Sequence, residues 1–99
     1  MEQHVAVVPR DLQGLVPGFL KNRKADLAAL SVALKAQQTG KLKELGERIY
    51  SIGSPYGFRY LTLLGKRIAQ AAQAGNMAEV AELVHDYADY LERVDIQYE

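Results

Sequence analysis

A chain of 99 residues with 48% apolar side chains, 24% charged ones and a net charge of zero fits one soluble domain with one core, and leaves no room for a second. It has no cysteine, so neither a disulfide nor a thiolate metal centre can support the fold. The early apolar run "VAVV" is too short for a signal segment or a membrane span, and a cytoplasmic protein is expected.

Residues 1–8 read as a flexible N-terminal tail and residues 9–99 as a single domain. In "PRDLQGLVPGFL", Pro9 and the candidate cap Asp11 open a short helical turn, which Gly14 and Pro17-Gly18 separate from a longer helix. That first helix is expected over about 17–36 and to end at Gly40. Its apolar stripe is Val16, Phe19, Leu20, Leu27, Leu30 and Leu34, with Arg23 as a gap. The second, over about 41–54, carries Leu42, Leu45, Ile49, Ile52 and Tyr56 at alternating steps of three and four, and Gly53 and Pro55 close it. Tyr56 lies on that seam, where a tyrosine can bury its ring and keep its hydroxyl wet.

The third helix, from Gly57 or Phe58 to Ala74, buries Phe58, Leu61, Leu64, Ile68, Ala71 and Ala72. Gly65, Ala69 and Ala72 let a neighbour come close, and Gly75 stops the helix. Asn76 and Glu79 form a capping-box-like pair at the start of the fourth. Met77, Val80, Val84, Tyr87, Leu91, Val94 and Tyr98 then mark a seam to the C-terminus. No segment alternates with period two, so no strand is expected. Short connections between such helices give an all-α, antiparallel up-down four-helix bundle with a short N-terminal helical appendage.

Charge is unevenly spread. Residues 1–75 hold eleven Lys/Arg against five acids, and residues 76–99 hold one against seven. The middle of the chain is thus basic and the last helix acidic, an asymmetry that can steer a partner. The basic residues form no dense cluster with interleaved aromatics, so nucleic acid is not an expected partner.

On the second helix Glu47 lies about 200° from Ile49 and points away from the core seam. Lys43, Tyr50, Ser51 and Ser54 share its face. No second carboxylate across a cleft and no Ser/His/Asp set suggests catalysis. Glu82, His85, Asp86 and Asp89 resemble half of a bundle metal site, but no other helix offers a matching inward set, so no metal and no cofactor is expected. "GSPYG" lacks the spacing and the lysine of a phosphate loop.

The segments "LVPGFLKNRKADLAALSVALKA", "LKELG", "YGFRYLTLLGKRIAQAAQAGN" and "ADYLERVDIQYE" together resemble a histidine-containing phosphotransfer (HPt) domain over nearly the whole chain. Such domains are four-helix bundles that pass a phosphoryl group between receiver aspartates. Their motif, His-x-x-Lys-Gly on the second helix ten residues before a glycine corresponding to Gly57, puts Glu47 at the histidine, Tyr50 at the lysine and Ser51 at the glycine. Leu61 follows Gly57 at the family's interval. All three motif positions are changed.

A carboxylate is a weaker nucleophile than a neutral imidazole, and an acyl phosphate on it would not last in water. Tyr50 supplies no positive charge for a phosphate, and Ser51 narrows the space a glycine would leave. The resemblance therefore implies a pseudo-HPt module, monomeric and non-catalytic, that docks a response-regulator receiver domain or a histidine kinase over Lys43, Arg48, Ser54, Arg59, Lys66 and Arg67. The competing readings are a phosphotransfer protein acting through another residue, His85 being the candidate within a helix, and a structural or self-associating bundle.

Overall fold

The computed structural model describes residues 5–53 and 56–99. In chain order the elements are strand β1 (Val5–Val8), a 3-10 helix (Arg10–Leu15), helices α1 (Val16–Lys35), α2 (Thr39–Gly53), α3 (Arg59–Gln73) and α4 (Met77–Arg93), and strand β2 (Asp95–Tyr98). The four helices pack together: α1 lies against α2 and α4, and α3 against the same two. Leu30, Leu42, Leu45, Ile49, Phe58, Leu61, Leu64, Ile68, Val80, Tyr87 and Tyr90 fill the space between them. Phe19 stacks on Tyr56 and Phe58 with ring centroids 4.3 and 4.9 Å apart, closing one end of the core.

The two strands overturn the expectation of a strandless chain. β1 pairs in parallel with β2, Val5 beside Asp95 and Val8 beside Tyr98. Residues 5–8 are thus no flexible tail: Ala6 and Val8 are buried, while Val5 and Val7 face outward. The alternation is real in space but invisible in polarity, because both faces of "VAVV" carry apolar side chains. At the other end Val94 adopts an extended conformation, so the α4 stripe stops at Arg93 and Ile96 and Tyr98 belong to the strand. Leu91 is half-buried, and Tyr90 and Leu83 take the inward positions beside it.

The helix boundaries have local causes. Asn76 accepts the Glu79 backbone N–H at 3.2 Å and donates to its carboxylate at 3.3 Å, a reciprocal cap on α4. Gly75, at φ +73°, ends α3 as expected. Gly40 does not end α1, because it lies inside α2. Gln37 turns the chain instead at φ +53°, while the Gln38 N–H reaches back to the Ala33 carbonyl at 2.9 Å. Asp11 sits in the first turn of the 3-10 helix rather than capping it, and Pro9 precedes that turn. Pro55, expected to close α2, lies outside the described residues.

The closest helix pair is α2 with α3. A Cβ on Gly46 would lie 2.7 Å from both the Ala69 nitrogen and the Gly65 carbonyl oxygen; one on Gly65 would lie 2.6 Å from the Tyr50 nitrogen. Two glycines therefore let the backbones touch, in keeping with the small residues of α3.

Candidate functional site

α2 is amphipathic, and its inward stripe of Leu42, Leu45 and Ile49 fixes what faces out. Glu47 is on the outer side with its side chain 59% exposed, and the Lys43 ammonium stands 3.9 Å from its carboxylate. Such an open pair contributes about 0.3 to 0.5 kcal/mol, so Glu47 remains free to meet a partner. Tyr50 is 47% exposed one turn on. The Ser51 hydroxyl donates to the Glu47 carbonyl at 2.9 Å, which ties it to the helix rather than offering it outward. Ser54 lies outside the described residues.

The remaining docking candidates do not gather on this face. Arg59 lines a groove of about 560 Å³ with Val7, Gly57 and Tyr60. Arg67 lines another, of about 430 Å³, with Gln70 and Glu79. Lys66 is exposed on α3. Arg48 turns toward α1, where one Nη bonds the Asp26 carboxylate. Gly57 serves the backbone instead. At φ +88° any Cβ there would collide with the Val7 carbonyl, so its absence of a side chain lets β1 cross the α2–α3 turn.

The most consequential polar group lies where hydrophobic periodicity shows only a gap. Buried residues of α1 run Val16, Phe19, Arg23, Asp26, Leu30 and Ala33, stepping by three and four straight through two charges. Leu20, Leu27 and Leu34 flank this line half-buried. The stripe is thus rotated from the one expected, and Arg23 is part of it rather than a gap. With charges admitted to the pattern, the unbroken 3-4-3-4-3 spacing would show it.

Arg23 Nε lies 2.9 Å from Asp26 Oδ2, a charge contact that is not aligned as a hydrogen bond. The Arg23 guanidinium also sits over the Phe19 ring, 5.0 Å from its centre. From α4, the buried Tyr87 hydroxyl donates to the Arg23 carbonyl at 2.8 Å. Burial, and then the negative charge of Asp26, raise the Tyr87 hydroxyl above the usual tyrosine range, against the opposing pull of Arg23 and Arg48. Asp26 thereby links α1 to α2, and Tyr87 links α1 to α4.

Beside this cluster, Leu15, Gly18, Phe19, Asn22, Arg23, Ile52 and Tyr56 line a groove of about 410 Å³ along the α1–α2 seam. On α4, His85, Glu82 and Asp86 are exposed. No group of three or more metal-ligating side chains converges among the described residues, and no described helix is long and apolar enough to cross a membrane. No family model matches the sequence, and no curated protein or solved structure matches it either.

Proposed function

We propose that this chain is a pseudo-HPt module: a monomeric, cytoplasmic, non-catalytic bundle that docks a receiver domain or a histidine kinase of a two-component pathway. In this reading the four helices run up and down in antiparallel order, with the 3-10 helix as an N-terminal appendage. The observation that carries it is the outward carboxylate of Glu47 on α2, where the resemblance requires an imidazole, with Tyr50 and Ser51 in place of the lysine and glycine. A carboxylate there neither accepts a stable phosphoryl group nor offers the nucleophilic nitrogen that relays use. Of the docking cations, Lys43 stands beside Glu47 and suits the acidic pocket of a receiver.

His85 is a poor substitute acceptor, since Glu82 and Asp86 stand one turn or less away and repel a phosphoryl donor. The reading is tested by restoring the motif. Glu47→His, Tyr50→Lys and Ser51→Gly all fall on exposed positions, and the glycine costs about 0.5 kcal/mol of helix stability. The triple variant is expected to keep its helical circular dichroism and to take up acid-labile phosphate from a phosphorylated receiver. A folded variant that takes up none contradicts the register on which the reading rests.

A further inference from the structure

The β1–β2 ladder leaves one backbone edge open. The Glu99 N–H donates to the Val8 carbonyl at 3.2 Å, and with Val8 beside Tyr98 this register turns the peptide groups of Asp95, Gln97 and Glu99 toward β1. Those of Ile96 and Tyr98 therefore point the other way. Among the described residues, neither the N–H nor the C=O of these two has a hydrogen-bond partner. The far edge of β1 is closed, because the Val7 carbonyl lies against Gly57 at the α2–α3 turn. On β2, Asp95 and Gln97 are exposed, while Ile96 and Tyr98 are half-buried against the core. The outward row holds Asp95 and Glu99 on either side of Gln97, and the β1 residues beside it are the uncharged Val5 and Val7. Arg59 shares a groove with Glu99, yet no ion pair joins them among the described residues, and Asp89 holds the Arg93 guanidinium at 2.7 Å. The open edge is therefore acidic.

We infer that β2 takes up an extended basic segment of a protein partner as a third, antiparallel strand, its backbone on Ile96 and Tyr98 and its lysines or arginines beside Asp95 and Glu99. An open strand edge fixes its occupant more narrowly than an apolar surface does, since an extended backbone supplies a donor and an acceptor at the spacing of alternate residues. Side-chain alternation then fixes the pattern. Positions opposite Ile96 and Tyr98 carry apolar side chains that continue the inner face, and positions opposite Asp95 and Glu99 carry cations. Antiparallel pairing with a second copy about Gln97 would set Asp95 opposite Glu99, acid against acid. The charges that attract a basic strand thus turn the chain away from itself. A sheet of two strands is marginal by itself, and a third strengthens it. The inference does not depend on the α2 face and holds whether or not a receiver docks there.

The test uses the full chain and labelled peptides containing Lys-Val-Thr-Val-Lys or Glu-Val-Thr-Val-Glu, read by fluorescence anisotropy. The lysine peptide is expected to bind and the glutamate peptide to bind at least about tenfold more weakly. Methylating the two valine N–H groups of the lysine peptide, which meet the Ile96 and Tyr98 carbonyls, should abolish binding. Methylating its threonine N–H, which faces solvent, should not. Asp95→Lys combined with Glu99→Lys, both at exposed positions, should reverse the preference, whereas Glu82→Lys on the exposed side of α4 should keep it. Amide hydrogen exchange reads the edge directly. The Ile96 and Tyr98 N–H groups are expected to exchange freely in the chain alone and at least about tenfold more slowly with saturating lysine peptide, while those of Ala6 and Val8 are protected in both. Protection of Ile96 and Tyr98 in the chain alone would mean that the edge is already covered, and overturns the inference. So would equal binding of the two peptides, no binding of either, affinity that survives valine methylation, or a preference that the double variant leaves unchanged.

Discussion

Replacing Asp26 by alanine would leave the buried Arg23 guanidinium with no carboxylate beside it and release Arg48 from α1. Removing one member of a buried charge group costs about 3 to 5 kcal/mol, and chemical denaturation of Asp26→Ala should show a loss of that size. The tyrosines give a second prediction. Burial, and then the nearby Tyr60, push the Tyr90 hydroxyl from its ordinary 10.0 up to about 12, and Tyr87 is shifted in the same direction. A hydroxyl that ionises later in the folded chain than in the unfolded one stabilises fully below about pH 10, and that contribution is lost as pH rises toward about 12. Thermal melts should be flat in this respect through neutral pH and fall across that alkaline window. Tyr90→Phe should shallow the fall. These residues also show where the sequence is hard to read. Hydrophobic periodicity passes over charged positions, so a buried Arg–Asp pair within a helical stripe looks like a gap, although its spacing is regular.

The helices are legible because each has a one-sided pattern, and the α3 core, the Asn76 cap and the Gly75 stop stand where sequence rules put them. The first strand is not, because its four apolar residues carry no period that polarity can report; the second does alternate Asp95 and Gln97 with Ile96 and Tyr98, a period of two that is hidden when Val94 and Tyr98 are read as a continuation of the α4 seam. Nor is the turn after α1: Gly40 is the better left-handed residue by composition, yet Gln37 takes that conformation. Glycine has two opposite meanings within these elements. Gly65→Ala forces the α2 and α3 backbones apart and should cost about 1 to 3 kcal/mol. Gly18→Ala, with nothing within 4 Å of the added carbon, should be neutral or stabilise by up to about 1 kcal/mol through helix propensity. Equal effects in thermal melts of the two variants would contradict the close approach of α2 and α3.

At the scale of the whole molecule, extents of 39 × 27 × 18 Å describe helices laid side by side and clasped at one end by the first and last described segments. The clasp makes residues 5–8 part of the fold: Val8→Ala should cost about 1 to 3 kcal/mol, while Val7→Ala on the outer face should change stability by less than about 0.5 kcal/mol. The candidate site is legible in part. Glu47, Tyr50 and Lys43 face outward together, as a helical wheel predicts, but the wheel of one helix cannot say that Arg48 turns to α1 or that Arg59 and Arg67 open onto separate grooves. The proposed function stands or falls on docking without transfer. A radiolabelled phospho-receiver mixed with the wild-type chain, with complex and acid-labile label read from the same sample, measures both. The predicted result is a stable complex in which the chain carries no label; label on the chain, or no complex with any receiver or kinase domain tested, would contradict it.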